Sequence, residues 1–184
     1  MKIYHILVDR FSTGNENLDV QLSNSTGIDW IGGNLLGVLK KLNYIKSLGF
    51  DGILLSPIFK SSAYHGYHVL DFFEIDPHFG NRKVFSKLVK SAHNLRLKVI
   101  LDFVPNHLSK FHEFFKEAQK NKSSKYFHWF IFKEWPNDYM CFLDFKDIPK
   151  INLEYSDARN YILDAATYWV EEFQIDGYRI DHAI

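Results

Sequence analysis

The sequence predicts an α/β domain built on a parallel sheet, and three observations carry that reading. Short apolar runs alternate with amphipathic stretches of helical period, and each apolar run is followed at once by polar residues. The chain has 184 residues, 46% of them hydrophobic and 24% charged, enough for one domain with its own core. Alternation of buried strand and helix implies right-handed crossovers between parallel strands.

Taken in order, Ile3–Val8 is an apolar run ending in Asp9-Arg10-Phe11, with turn-formers from Ser12 to Asn17 after it, and reads as a strand and a loop. Leu35, Val38, Leu39, Leu42, Ile45 and Leu48 then recur at three and four, with Asn34 as the N-cap and Gly49 past the end, which predicts a helix. Gly52–Pro57 is a second strand, and Ile58 to Gly80 reads as a loop. From Asn81, the residues Val84, Phe85, Leu88, Val89, Ala92 and Leu95 mark a second helix, and Lys98–Val104 a third strand closed by Pro105. The pattern breaks between His107 and Glu154, where aromatics mix with Lys and Asn without a clean period, so 108–154 reads as an inserted subdomain. Asp157 then caps a helix carrying Ala158, Tyr161, Ile162, Ala165, Trp169, Val170 and Phe173, and Ile175–Ile180 is the fourth strand.

Composition excludes some partners. Twenty-two Lys and Arg balance twenty-two Asp and Glu, so no broad positive field is available for nucleic acid or anionic lipid. No stretch has the length and polarity of a membrane span or signal peptide, and the expected compartment is the cytoplasm. The one cysteine, Cys141, reads as a small apolar core side chain.

Parallel sheets place ligand chemistry at the C-terminal ends of their strands. Asp9 and Arg10 follow the first strand, Asp102, Asn106 and His107 lie at or after the third, and Arg179 and Asp181 close the fourth. The two-residue spacing puts Arg179 and Asp181 on one strand face. A carboxylate beside a guanidinium stays ionised and oriented, as a nucleophile or electrostatic stabiliser requires, and the same pair also reads as a structural ion pair. His107 reads equally as a hydrogen-bonded structural residue. In Tyr64-His65-Gly66-Tyr67-His68, glycine admits a ligand and Tyr67 offers a flat face to a sugar, or packs. No paired-histidine metal motif occurs, and oxygen ligands from Asn and Asp suit calcium better.

These strand-end motifs, in this order, resemble the α-amylase superfamily of glycoside hydrolases, family 13. Asp102-Phe103-Val104-Pro105-Asn106-His107 is similar to the family motif ending barrel strand three, and Gly177-Tyr178-Arg179-Ile180-Asp181-His182-Ala183 to the one ending strand four. Gly49–Pro57, His65-Gly66-Tyr67 with Asp71, Ile75–Gly80, Asp9-Arg10-Phe11, Gly32–Leu35 and Ile148–Leu153 match further regions. The resemblance implies the N-terminal half (strands 1–4) of a (β/α)8 TIM barrel across 1–184, with 108–154 as the inserted domain B after strand 3. It makes Asp181 the catalytic nucleophile, Arg179 its orienting partner, His107, Tyr67 and His182 sugar contacts, and Asp102 and Asp71 structural support. Calcium, not required for the chemistry, would be held by Asn106, or by Asn15 and Asn17 in neopullulanase-like members. Pro149-Lys150, where many α-amylases carry Pro-Asp, leans toward the neopullulanase or cyclomaltodextrinase branch.

The expected substrate is an α-1,4-linked glucan or maltooligosaccharide, cleaved or transferred with retention. Retention needs two carboxyl groups about 5–5.5 Å apart, and the family's general acid comes from strand five. The chain ends at Ile184 with no residue matching that acid, so it reads as the front half of an enzyme, inactive by itself. The alternatives are a non-catalytic carbohydrate-binding half-barrel, self-associating through its exposed edges, or an inactive fragment.

Overall fold

The computed structural model describes residues 1–15 and 29–183. Its centre is a parallel sheet of β1 (Ile3–Ile6), β2 (Gly52–Leu55), β5 (Lys98–Phe103) and β8 (Gly177–Ile180), in that spatial order. The register pairs Ile3 with Gly52, Gly52 with Lys98 and Ile100 with Gly177. Helices α2 (Leu35–Ser47), α3 (Arg82–Asn94) and α5 (Ser156–Phe173) make the crossovers. Asn34 and Asn81 cap α2 and α3 as expected, accepting from the N–H groups of Gly37 and Val84.

The structure corrects several boundaries. The first strand stops at Ile6, because Val8 N–H donates to Ser56 Oγ (3.1 Å) and Val8–Phe11 winds into the short helical turn α1. Asp157 does not cap α5: Tyr155 holds that position and Asp157 lies in the first turn, where its charge complements the helix dipole. Val170, expected on the apolar face of α5, is 41% exposed. The stretch expected as a loop between β2 and α3 contains an antiparallel hairpin of β3 (Phe59–Ser61) and β4 (Val69–Ile75). Its register shifts twice, which erased the two-residue alternation that would have announced it.

That hairpin is a wall of the core. Phe59 and Phe72 meet Phe103 and, through Phe59, Trp169, all nearly or fully buried, and Trp169 Nε1–H donates to the Phe72 carbonyl (2.7 Å). Gly37 in α2 is required by close packing, since a Cβ there would sit 1.8 Å from the Ser12 carbonyl oxygen.

Between β5 and α5 the chain forms α4 (Glu113–Lys120) and a short hairpin of β6 (Phe132–Glu134) and β7 (Asp138–Tyr139). Phe115, Phe130 and Tyr139 bury their rings together, so most of this aromatic content is packing. Cys141 is half-buried against the core. Among the described residues, no helix is long and apolar enough to cross a membrane.

Candidate active site

Adjacent parallel strands bring the acidic and basic groups together. Asp102 on β5 is in register with Arg179 on β8, and Asp181 N–H donates to the Phe103 carbonyl (2.8 Å), carrying the pairing one step beyond the strand. Arg179 Nη1 donates to both Asp102 oxygens (2.9 and 3.0 Å) and to Asp181 Oδ1 (2.6 Å). One guanidinium thus bridges two carboxylates. The Asp102 side chain is fully buried, whereas that of Asp181 is 17% exposed and faces a cavity.

Tyr67 reaches the same cluster from the loop before β4, donating its hydroxyl to Asp102 Oδ2 (2.8 Å). The turn that aims it needs glycine: Gly66 has φ +84°, and a Cβ would lie 2.0 Å from the Pro57 carbonyl oxygen. Burial pushes the Asp102 carboxyl up from its ordinary value, against the opposing pull of Arg179 and Tyr67. Burial, then the hydrogen bond to Asp102, also raises the Tyr67 phenol, which stays protonated. The bond to Asp102 leads the effects that raise Arg179 and keep it cationic.

His107 is nearly buried beside them. Asn106 Nδ2 donates to its Nδ1 (3.0 Å), and its Nε2–H donates to the Tyr67 carbonyl (3.1 Å), an arrangement that suits the neutral ring. Burial lowers its pKa to about 4. Both ring nitrogens are therefore engaged within the protein, and the imidazole presents its ring face to the cavity wall at Phe142 (centroids 5.2 Å apart). His182, in a left-handed conformation (φ 48°), meets the same Phe142 edge-on at 4.5 Å.

The cavity measures about 440 Å³, within the usual range for small-molecule sites. It is lined by Tyr67, His68, His107, Asp181 and a wall from Phe142, Phe145, Asp147 and Ile148. Sequence reasoning missed that wall. The three-residue recurrence of Phe142, Phe145 and Ile148 was its one available signal, obscured by the many aromatics around it.

The other expected residues sit apart. Asp71 accepts from Phe73 N–H within β4 (2.7 Å) and does not line the cavity. Asp76, not singled out from the sequence, is the buried carboxylate of that region, accepting from Ser61 N–H and His78 N–H. Asp9 accepts from the N–H groups of Ile31 and Gly32, while Arg10 pairs with Asp9 (2.8 Å) and lies over the Tyr64 ring (4.1 Å). Those contacts brace the segment after β1 against the loop that carries Tyr67.

Calcium takes about six to eight oxygen ligands. Among the described residues no three His, Cys, Asp or Glu side chains are grouped to hold a metal ion, and the Asn106 amide is turned onto His107. The backbone of Asn15 bonds to the Thr13 hydroxyl, and Asn17 lies outside the described residues. The loop expected to hold calcium lies largely outside the described residues, and the Asn106 bond to His107 uses its Nδ2 and not its carbonyl oxygen.

Comparison with known proteins agrees with this geometry. Residues 5–184 match the model for the α-amylase catalytic domain. The chain is 48% identical over 181 residues to α-amylase 2 of Dictyoglomus thermophilum, covering 98% of this chain and 31% of that protein. It is 38% identical to an intracellular maltogenic amylase of Bacillus subtilis, covering 98% and 32%. A cyclomaltodextrinase structure superposes with a TM-score of 0.88 at 33% identity, over 99% of this chain and 34% of that one. The chain spans about a third of the length of these relatives. Its four parallel strands are the N-terminal half of a (β/α)8 barrel. With the whole run from His5 onward matching, and the acid–guanidinium cluster at the strand ends, the chain belongs to the α-amylase catalytic-domain family.

Proposed function

We propose that this chain supplies the nucleophile half of a retaining α-glucan hydrolase or transglycosidase acting on α-1,4-linked maltooligosaccharides. One observation carries the reading: Asp181 faces a cavity at the strand ends while Arg179 holds it beside the buried Asp102. Asp181 Oδ attacks the anomeric carbon, the glycosidic C–O bond breaks, and a glycosyl-enzyme ester forms. Water or a sugar hydroxyl then releases it. Arg179 orients the carboxylate through its 2.6 Å bond to Oδ1, and Tyr67 floors the attacked ring. His107 supports Tyr67 through its carbonyl, and His182 buttresses Phe142. Residues 108–154 act as the domain B wall of this site.

Asp102 is too buried and too fully bonded to protonate a leaving group, and Asp147, the other carboxylate at the cavity, is paired with Lys110 (2.7 Å). The leaving-group proton is assigned to a carboxylic acid beyond these residues, for which the greater length of the relatives leaves room. The B. subtilis relative, an intracellular enzyme, supports a cytoplasmic location. Edge strands β1 and β8 are the surfaces through which an isolated chain would self-associate, read by light scattering.

The test is Asp181→Asn in the whole protein, assayed on maltooligosaccharides beside an intact-mass measurement of the native product. Loss of turnover with the fold intact is the expected result. Retained turnover would remove Asp181 from the nucleophile role, and sugar binding without turnover in the unaltered protein would favour a binding module.

A further inference from the structure

Outside the catalytic cavity, the turn of the β6–β7 hairpin and Lys146 form a groove of about 550 Å³, lined by Glu134, Trp135, Pro136, Asn137, Asp138 and Lys146. The two spaces share one stretch of chain. Phe145, Asp147 and Ile148 line the catalytic cavity, whereas Lys146, between them in sequence, lines the groove.

Its walls are held in place by side-chain bonds. Trp135 Nε1–H donates to the Ala118 carbonyl (3.1 Å) and Gln119 Nε2 to the Pro136 carbonyl (3.2 Å), which tie the turn to α4. Lys146 Nζ donates to Asp138 Oδ1 (2.7 Å), and the Tyr139 hydroxyl donates to the Lys146 carbonyl (2.8 Å). With its N–H spent inside the protein, the indole offers the groove apolar ring surface, and Pro136 adds to it. The exposed Lys122 lies over the indole (4.9 Å), but an exposed cation–π contact is worth only about 0.5–1 kcal/mol, so a ligand can take its place. Among the described residues the Glu134 carboxylate and the Asn137 amide have no hydrogen-bond partner, and Asp138 engages Lys146 through Oδ1 alone.

This lining selects its ligand. Two carboxylates against one ammonium disfavour a phosphate or another anion. Among the described residues no three His, Cys, Asp or Glu side chains are grouped to hold a metal ion, so the acids serve as hydrogen-bond acceptors. Flat apolar rings flanked by unspent carboxylate and amide groups suit a pyranose, which has an apolar C–H face and hydroxyls around its edge. We propose that the groove is a second α-glucan-binding site, which holds a segment of a long chain away from the bond being cleaved. This rests on the proposed function. It predicts a preference for polymer that short maltooligosaccharides do not show.

The experiment compares wild type, Trp135→Ala and the double variant Glu134→Ala/Asn137→Ala in the whole protein, by electrophoresis through gels containing amylose and by kinetics on soluble starch and maltotriose. Amylose is expected to retard the wild type and to retard both variants less. The starch concentration giving half-maximal rate should rise about tenfold in Trp135→Ala, the size of one aromatic contact, and about threefold in the double variant. Maltotriose kcat/KM should stay within about twofold in both. The double variant removes side chains that make no bond in the fold, so it keeps the test decisive if Trp135→Ala melts early. Unchanged retardation and starch kinetics in the double variant, or an equal loss on starch and maltotriose, would overturn the second site. So would a wild type that cleaves maltotriose and is not retarded by amylose. A wild type that neither cleaves maltotriose nor binds amylose would instead overturn the function on which the site depends.

Discussion

The two ends of the parallel sheet carry similar chemistry and opposite consequences. At the C-terminal end, one guanidinium is shared by two carboxylates, Asp102 fully buried and Asp181 facing a cavity. At the N-terminal end, one carboxylate is shared by several donors. Asp176 accepts from Lys98 Nζ (2.7 Å), His93 Nε2 (2.7 Å) and Val99 N–H (2.8 Å). There three donors converge on one carboxylate, which serves to staple β5 to the segment entering β8. Acid–base clusters are therefore distinguished by which partner is in excess: a surplus of donors makes a joint, and a surplus of acceptors leaves one acceptor to react.

The sharpest way to break this comparison is to make the same change at both ends. Asp181→Asn in the whole protein should cut glucan turnover by at least about 10⁴-fold, the order seen when a nucleophile is removed from a site that works as a unit. Asp176→Asn should leave turnover within about twofold of wild type. Steady-state kinetics on maltooligosaccharides decides both, and a collapse of turnover in Asp176→Asn would show that the N-terminal cluster is not merely a joint.

Next in size is Arg179→Ala, which leaves Asp102 buried without its cation. Although the Arg179 side chain is half-exposed, the stranded carboxylate should cost about 1–3 kcal/mol, read by urea unfolding. Asp102→Asn on that background should recover part of the loss. In the whole protein Arg179→Ala should lower kcat more than it raises KM if, as proposed, its bond to Asp181 serves to orient the nucleophile and not to hold the sugar.

The acid limb separates the two ends further. His65, His107 and His112 are lowered by burial from 6.5 to about 4, so the fold favours their neutral forms. Their contribution is present above pH 6.5 and is lost as pH falls from there toward 4, where the unfolded chain binds protons that the fold excludes. His112→Asn keeps a side-chain oxygen for the Phe114 N–H that His112 Nδ1 now accepts and removes the titrating ring. Urea midpoints in this variant should fall less steeply between pH 6.5 and 4.

The smallest effect belongs to the N-terminal joint. Burial alone would push the Asp176 carboxyl up, but Lys98, Val99 N–H and His93 outweigh it and hold the carboxyl below its ordinary value. Asp176 therefore stabilises the fold above the unfolded-chain pKa near 3.8, and this is lost as pH falls through its lower folded value. Asp176→Asn should be less stable than wild type at pH 7 by about 1 kcal/mol and should converge with it at the acid end of the titration.

The elements that were legible in the sequence are those whose burial is one-sided and regular. Asn34 and Asn81 announce their helices because an Asn before an apolar period has one structural use, and both caps are made. The Arg179 and Asp181 spacing was readable because strand geometry alone puts the two side chains on one face. The β3–β4 hairpin was not readable, since its bulges break the alternation, and neither was the early end of β1, which depends on a hydroxyl 48 residues away at Ser56. Phe142 and Phe145 were hidden among aromatics of the same composition, most of which pack.

By itself the sequence determined the alternation of strand and helix, the parallel sheet and the position of the strand-end acids, because each follows from local period and spacing, while the motifs at those positions carried the resemblance to the family. Tertiary structure alone decided that Asp102, Tyr67, Arg179 and Asp181 form one cluster, that His107 spends both ring nitrogens inside the protein, and that Phe145 stands at the cavity rim. The reason is physical: spacing fixes which face of its own element a side chain occupies, whereas a partner 35 or 77 residues away is chosen by register and by the burial of everything packed around it.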